Sequence, residues 1–419
     1  MNQNSLTIEL DEFPELTGIF SSYEFNARLI YKLSYYTLGD FSNDNVIYKN
    51  KRYYITIDNK WLDMKIDSKN FIKVLEHLLF DLKNSNSIFL QMAYQLSHKP
   101  QHFFTFVSHK IFTINSKVMI PGLREYLLQS YFITPVDSNY SPLAQKYIIQ
   151  ENKNEKKVTL VLNKKACLPE KKINFIINKD VDHTVELIKN GIIDISSSTN
   201  YCNYTNDNGL KRYHQSSSLL YYFSTKNDKE FYLLRSLIND IHSLYLQKFN
   251  GLIPVTSFLY DLRSQTNIRH DTVKMQDNFS NKKVTIAYSN YQQNKDIIFC
   301  LKTILIDKGI PFKLVEHETL ESLTSDNTSD IKLLVTYRDF QHYGASILSL
   351  LSIVRNPQKL LQSWLLDDTD NIIKYSNQQN RLVPIFKGTQ IYLKSRKANN
   401  WDYDSNGFLQ KHNIRIDAI

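Results

Sequence analysis

The sequence predicts an α/β protein built from more than one lobe, with a parallel sheet in its second half. The chain has 419 residues, more than a single core comfortably takes. Its composition, 42% hydrophobic and 22% charged, belongs to folded chains and not to disordered ones. From residue 284 onward, apolar strand-type runs alternate with helical patterns. That order requires a parallel sheet with crossover helices.

The elements follow in chain order. Leu6-Thr7-Ile8-Glu9-Leu10 reads as a first strand, and residues 20–36 repeat apolar side chains at intervals of three and four, as an amphipathic helix does. Residues 51–57 form a second strand, with Trp61-Leu62-Asp63 in the turn behind it. Asp67-Ser68-Lys69-Asn70 supplies cap-type side chains for a helix over 71–82. Residues 83–102 are polar and irregular, broken by Pro100. Residues 103–114 alternate as a strand pair would, and Pro121-Gly122 is a turn. Strands are predicted over 145–150 and 158–162, joined by the Asn/Lys/Glu-rich turn 151–157, and then over 173–177. A helix over 182–189 stops at Asn190-Gly191, where glycine accepts the left-handed conformation that ends helices. A short strand at 192–195, a polar loop at 196–209, a strand at 219–223 and a helix over 229–245 follow. After a loop region at 263–282, strands at 284–288, 312–315 and 331–335 alternate with helices at 296–308 and 319–323. Residues 341–354 and 357–365 are helical, and 383–393 returns to strand. No repeat of fixed period occurs.

Composition removes several classes. With 10 Gly, 10 Pro and 3 Cys, the chain is neither collagen-like nor a disulfide scaffold. The longest apolar stretches, such as 347–354, fall far short of the roughly 20 residues a helix needs to cross a bilayer, so no transmembrane segment is expected. The first ten residues show no basic segment, apolar segment or cleavage site. The chain as written is therefore expected to be cytoplasmic, and extracytoplasmic if a leader was omitted. Lys+Arg of 51 against Asp+Glu of 42 gives a formal charge of +9, with the lysines dispersed. The densest patch, 153–172, flanks the apolar run Val158-Thr159-Leu160-Val161-Leu162 and reads as a solvated edge hairpin whose lysines discourage further pairing. Direct nucleic-acid contact is not expected.

No phosphate-loop, dinucleotide, serine-nucleophile or zinc-helix motif occurs. His98 and His102 are four apart, but Pro100 between them opposes the helix that would bring them together. Asp63 and Asp67 read as turn and cap residues. Cys167, Cys202 and Cys300 lack paired spacing and read as small buried hydrophobes. No metal or cofactor is expected. Aromatic content is 13%, from 27 Tyr, 23 Phe and 3 Trp. Most of these must be core, and a surplus of tyrosine suits a large, adaptable binding cleft.

Five places then match a known order of segments. Residues 6–41 run strand, polar loop, helix and Leu38-Gly39-Asp40-Phe41. Lys51-Arg52-Tyr53-Tyr54-Ile55-Thr56-Ile57 with residues 58–63 forms a strand followed by a Trp-Asp element, continued by a helix start at 67–75. Residues 147–163 make a hairpin. Residues 173–195 end in Lys189-Asn190-Gly191-Ile192-Ile193-Asp194-Ile195. In the second half, 301–315, 331–349, Val383-Pro384-Ile385 and 401–407 continue the order. This order resembles the extracellular solute-binding protein family 5, the oligopeptide-, dipeptide- and nickel-binding receptors of ABC importers. The sequence departs from that family in five ways, one being that the whole chain is compact for the class. No leader is present, and the segment between Phe41 and Lys51 is short. Met64 stands where a glycine is usual, and Ser141-Pro142-Leu143 replaces a Gly-Pro-Tyr turn. These departures bear on export and peptide transport more than on fold.

The resemblance implies a two-lobed, type II periplasmic-binding-protein-like fold of the peptide-binding class. Residues 1–45, 140–224 and 376–419 would form lobe 1, 46–139 a subdomain inserted in it, and 225–375 lobe 2. Two hinge segments would lie near 219–223 and 375–385. It implies a monomeric receptor that encloses a peptide or small amine-bearing solute and serves an ABC importer permease, with no covalent step. The family's cleft aspartate, which receives the α-amino group of a peptide, falls on Asp339. Capping of the following helix, or pairing with Arg338, is the structural alternative for it. Tyr337, Arg338 and Phe340 would accompany it. Ser197, Thr199 and Asn200 would line the facing lobe, or simply belong to a surface loop. Two other functions stay open at this level: a cytosolic ligand sensor reusing the fold, and an enzyme with a site of no recognised motif.

Overall fold

The computed structural model describes residues 5–22, 24–82, 88–97, 99–166, 168–178, 180–197, 212–249, 251–255, 283–337, 362, 365, 381–403 and 408–411. The expected loop at 263–282 and helices at 341–354 and 357–365 lie outside the described residues, apart from residues 362 and 365.

Two separate apolar cores organise the described chain. The first begins with β1 (Ser5–Leu10), where Leu6, Ile8 and Leu10 are buried by the two-residue alternation of a strand. It pairs in parallel with β8 (Lys172–Ile177), and the sheet continues antiparallel through β7 (Lys157–Leu162) to β6 (Tyr147–Asn152). β6 and β7 are the lysine-flanked hairpin, at the sheet edge where the sequence places it. Helix α1 (Phe25–Ser34) buries Ala27, Leu29, Ile30 and Leu33. It starts five residues later than the apolar pattern suggests. Ser21 and Ser22 close a turn onto the Gly18 carbonyl, and Glu24 caps the helix.

A second, antiparallel sheet shares this core. Its strands are β2 (Asn45–Lys49), β3 (Arg52–Thr56), β4 (Phe104–Ser108) and β5 (Ile111–Asn115), in the order β2-β3-β5-β4. Asn50 and Lys51, with φ of 51° and 60°, make the tight turn between β2 and β3. Around the sheet lie α2 (Asn59–Asp63) and α3 (Ser68–Glu76), with π-helical turns at His77–Leu82, followed by α4 (Ile88–Gln95) and α5 (Leu123–Gln129). Asp67 and Asn70 form a reciprocal capping box at α3, so Asp67 does the capping chemistry expected of it. Trp61 is fully buried, edge-on to Phe41 and Phe71, and its indole N–H donates to Asp44 at 3.0 Å. It is a core residue, as expected. Gly39 has φ of +97°, and a Cβ there would collide with the Leu128 carbonyl.

The second core fills a six-stranded sheet, ordered β10-β14-β9-β13-β11-β12. Its members are β9 (Arg212–Thr225), β10 (Leu252–Pro254), β11 (Val284–Ser289), β12 (Phe312–His317), β13 (Ile331–Tyr337) and β14 (Leu382–Leu393). β12 and β13 pair in parallel with β11, as the alternating pattern requires, but β9, β10 and β14 join antiparallel, so the sheet is mixed and not the parallel sheet expected. Helices α7 (Asp228–Lys248), α8 (Gln292–Asp307) and α9 (Leu320–Ser325) belong to this half, while α6 (Val181–Lys189) belongs to the first. Gly191, with φ of +67°, closes α6. The strand expected at 192–195 reduces to a bridge at Ile195, which touches Ile8 on one side and Lys394 on the other. β15 (Trp401–Tyr403) and β16 (Leu409–Lys411) return to the first core.

β9 and β14 form one long antiparallel ribbon connecting the halves. At one end Phe223, Val383 and Ile385 sit in the second core. At the other, Tyr392 enters the first core and stacks on Tyr213, with ring centroids 5.5 Å apart. Lys394 anchors that end. Its ammonium lies 4.1 Å from the Tyr213 ring centroid, donates to the Trp401 carbonyl and pairs with Asp402. The ribbon is bulged between Pro384 and Phe386 and between Thr389 and Ile391.

Candidate functional site

Where the two halves face each other, a cleft is lined from both. β1 delivers Asp11 and Glu12 at its C-terminal end, and the first turn of α1 adds Glu24, Phe25 and Asn26. The opposite wall consists of Leu219 and Tyr221 of β9, Val335 of β13, Leu320, and the start of α8 with Tyr291, Gln293 and Asn294. About 40 Å³ of it is open to the centres of water molecules, room for about three waters.

The first wall is tied together by amide hydrogen bonds. The Asn26 side chain donates to Asp11 Oδ1 at 2.9 Å and to the Glu12 carbonyl at 3.0 Å. Glu24 accepts from the backbone N–H groups of Glu15 and Asn26, both at 3.1 Å. Asp11 and Glu12 are 2% and 8% exposed. Burial, reinforced by the like charges of Glu12 and Asp11, pushes the Glu24 carboxyl up to about 8, although its two backbone donors pull the other way.

The second wall reaches across. The Tyr291 hydroxyl donates to Glu12 Oε2 at 2.8 Å, a direct strap between the halves. Asn294 donates to Ser289 Oγ at 2.8 Å, but its Oδ1 has no partner. Gln293 is 1% exposed, and neither its Oε1 nor its Nε2 has a partner. Buried polar atoms normally find partners. On the wall of a cleft such an amide is open to whatever fills it, water included.

The residues singled out by resemblance fall unevenly. Arg338, Asp339, Phe340, Thr199 and Asn200 lie outside the described residues. Tyr337 is the last residue of β13, in register with Leu219, a lining residue of the cleft. Ser197 is buried, and its N–H donates to Glu9 Oε2 at 3.0 Å. Glu9 itself is fully buried and also accepts from Asn178 and Thr184, so it fastens β1 to the α6 region. Cys300 is buried, with its thiol pushed up to about 11 by that burial. Among the described residues no His, Cys, Asp and Glu groups converge to hold a metal ion, and no helix is long and apolar enough to cross a membrane. The cleft residues Glu12, Glu24, Gln293 and Asn294 carry no motif spacing. The one signal in the sequence is a run of acids, Glu9, Asp11, Glu12, Glu15 and Glu24, near the start of a chain whose formal charge is +9.

No family model matches the sequence, and no curated protein matches it significantly. Solved structures do match, over nearly the whole chain. The Escherichia coli murein tripeptide binding protein MppA is 14% identical, with a TM-score of 0.71 over 97% of this chain and 96% of that one. The Helicobacter pylori periplasmic binding protein DppA, in complex with the peptide STSA, is 11% identical, with a TM-score of 0.73 over 98% of each chain. The unliganded open form of MppA, also 14% identical, gives a TM-score of only 0.55 over 97% of this chain and 95% of that one. The fold is therefore the two-lobed periplasmic-binding-protein-like architecture that these structures share.

Proposed function

We propose that this chain is a solute-binding protein of the family 5 type that encloses a peptide, or a small amine-bearing solute, between its lobes. The observation that carries the reading is the interlobe cleft. It joins two independent cores through one ribbon, is strapped by Tyr291 and Glu12, and presents the unpartnered amide of Gln293. The whole-length likeness to periplasmic peptide-binding proteins supports it. Ligand that contacts both walls favours the closed arrangement by its differential affinity, and no bond chemistry is involved. On this reading the protein works outside the cytoplasm as a monomer and delivers its cargo to an ABC importer permease.

The hinge is proposed to lie in the ribbon at 212–218 and 389–394, because residues 219–224 and 382–388 already belong to the second sheet. This moves the crossing away from 224 and 376. Asp339, just beyond β13, is proposed to receive the α-ammonium of a peptide, flanked by Tyr337, Arg338 and Phe340. Thr199 and Asn200 would face it beyond Ser197, whose own N–H is taken by Glu9.

A random tetrapeptide pool, equilibrated with the protein and separated from it by size, tests the reading. Intact peptides recovered from the protein fraction are the expected result. Recovery of none, or of cleaved products, overturns it. Asp339→Ala is expected to weaken a captured peptide by about 2–5 kcal/mol, the range for losing one partner of a buried charge pair. Equal affinity for the N-acetylated peptide removes that role.

A further inference from the structure

We propose that the side-chain amide of Gln293 reads the main chain of the enclosed peptide: Nε2 donates to the C=O, and Oε1 accepts from the N–H, of one extended residue of the ligand. This deepens the peptide reading and rests on it.

The hydrogen-bonding capacity of the cleft is spent unevenly. On the first wall the Asn26 amide donates to Asp11 and to the Glu12 carbonyl, the Glu12 carboxylate accepts from the Tyr291 hydroxyl, and Glu24 accepts from two backbone N–H groups. Those side chains are engaged and call for no charge from outside. On the second wall, Asn294 Nδ2 donates to the carbonyl and hydroxyl of Ser289 at 3.2 and 2.8 Å. A carbonyl only accepts, so this bond sets which way round the Asn294 amide lies. Its Oδ1 is left without a donor. Gln293, one residue before, has neither a donor for Oε1 nor an acceptor for Nε2. Both residues are 1% exposed, and a buried amide that meets nothing costs stability.

The unmet set is therefore one amide donor and two carbonyl acceptors, with no formal charge. An ammonium offers no acceptor to Nε2, and a carboxylate offers no donor to the two amide oxygens. The complement is a neutral group with N–H and C=O side by side. An extended residue has that pair, because its own N–H and C=O point the same way, as they do where opposite residues of an antiparallel ladder exchange both bonds. Every residue of a peptide except proline carries it. Asn294 Oδ1, on the same wall, is left for a further N–H. The neighbouring lining of Leu219, Leu320 and Val335 is apolar, and hydrogen bonds made in such surroundings are strengthened.

Water is the alternative occupant, and the two differ in what loss of the amide does. If water satisfies Gln293 in the unliganded protein, an apolar side chain there costs stability and leaves peptide affinity alone. If the amide is held for the ligand, an apolar side chain removes an unmet buried group, so the unliganded protein melts no lower, while the peptide loses its partners.

The test compares the full chain with Gln293→Met, which is unbranched like glutamine and lacks both polar atoms, and with Gln293→Ala should the first not fold. The random tetrapeptide pool is captured on wild type, and the most enriched tetrapeptide is titrated into each protein by calorimetry. Gln293→Met is expected to bind it about tenfold more weakly, with a melting midpoint at or above that of wild type. The same tetrapeptide is then made with each amide replaced in turn by an ester, which removes the N–H. One such ester should cost wild type affinity and cost Gln293→Met much less, the non-additivity of groups that touch. If affinity and midpoint both fall in the variant, this ester comparison decides. Unchanged affinity in the variant overturns the proposal and leaves the peptide reading standing; a lowered midpoint with it makes water the occupant. Ester losses equal in both proteins at every position, or an enrichment of Asn and Gln that Gln293→Met abolishes, overturn the main-chain assignment. Failure of both variants to fold makes the amide structural and overturns it too. A wild type that captures no tetrapeptide removes the peptide reading itself, and this inference with it.

Discussion

Glu24 shows how position sets chemistry at the scale of one residue. As a helix cap it accepts two backbone N–H groups, which favours the ionised form, yet burial beside Glu12 and Asp11 dominates. The folded carboxyl is pushed up to about 8 from its ordinary 4.5. Between those values the folded state keeps a proton that the unfolded chain has released. This contribution is complete below about pH 4.5 and is lost as pH rises through about 8. The groups that face it are Asp11 and Glu12 from the end of β1, with Tyr291 across the cleft bound to Glu12. Urea unfolding between pH 5 and 9 should therefore show wild type losing more stability with pH than Glu24→Gln, and parallel curves would contradict the assignment. Gly39 makes a simpler prediction. Its left-handed backbone and the Leu128 carbonyl against it exclude a Cβ, so Gly39→Ala should cost more than about 2 kcal/mol in the same assay.

At the scale of elements, α8 matters through its first turn, which carries the strap and the unmet amides. Tyr291→Phe keeps the ring and removes the hydroxyl that reaches Glu12. A hydrogen bond to a charged acceptor is worth about 1.5–3 kcal/mol, enough to move a near-balanced equilibrium between closed and open lobes. Small-angle scattering of the unliganded variant should give a larger radius of gyration than wild type, and an unchanged radius would show that the strap does not hold the lobes. Elements were legible in the sequence where local pattern and tertiary packing agree. β1, α3 with its Asp67 cap, the β6–β7 hairpin and the β11–α8–β12 unit have clear periodicity and clear stops. α4 overturns the expectation that 83–102 is polar and irregular: Ile88-Phe89-Leu90-Gln91-Met92-Ala93-Tyr94-Gln95 is a mostly apolar run, masked by polar residues on either side, and it forms by burying Phe89, Leu90, Met92 and Ala93. β2 depends on pairing with β3 through two residues of positive φ that are not glycine. The start of α1 is set by a turn and a cap that an apolar repeat does not register.

For the whole molecule, the question is what joins two cores that are otherwise independent. The order of strands and helices made part of the architecture readable, because it determines the parallel β11, β12 and β13 and their crossovers, but not the antiparallel β9, β10 and β14 beside them. The cleft was not readable, because its walls come from positions as distant as Glu12 and Tyr291, 279 residues apart. Resemblance pointed instead to single positions such as Asp339. The described connections are the β9–β14 ribbon and the side-chain strap, and the ribbon's two bulges interrupt its ladder near Pro384 and Thr389. A bulged two-stranded connection bends more readily than either core deforms, so opening should be a rigid rotation of the halves about 212–218 and 389–394. Captured peptide should then lower the radius of gyration of Tyr291→Phe more than that of wild type, since the variant starts more open and both end closed. Hydrogen exchange should slow on binding at the backbone of 291–294 and 11–12 while the two sheets keep their free-state rates. Slowing spread evenly over both cores would mean that the ligand tightens the entire fold and does not close a hinge.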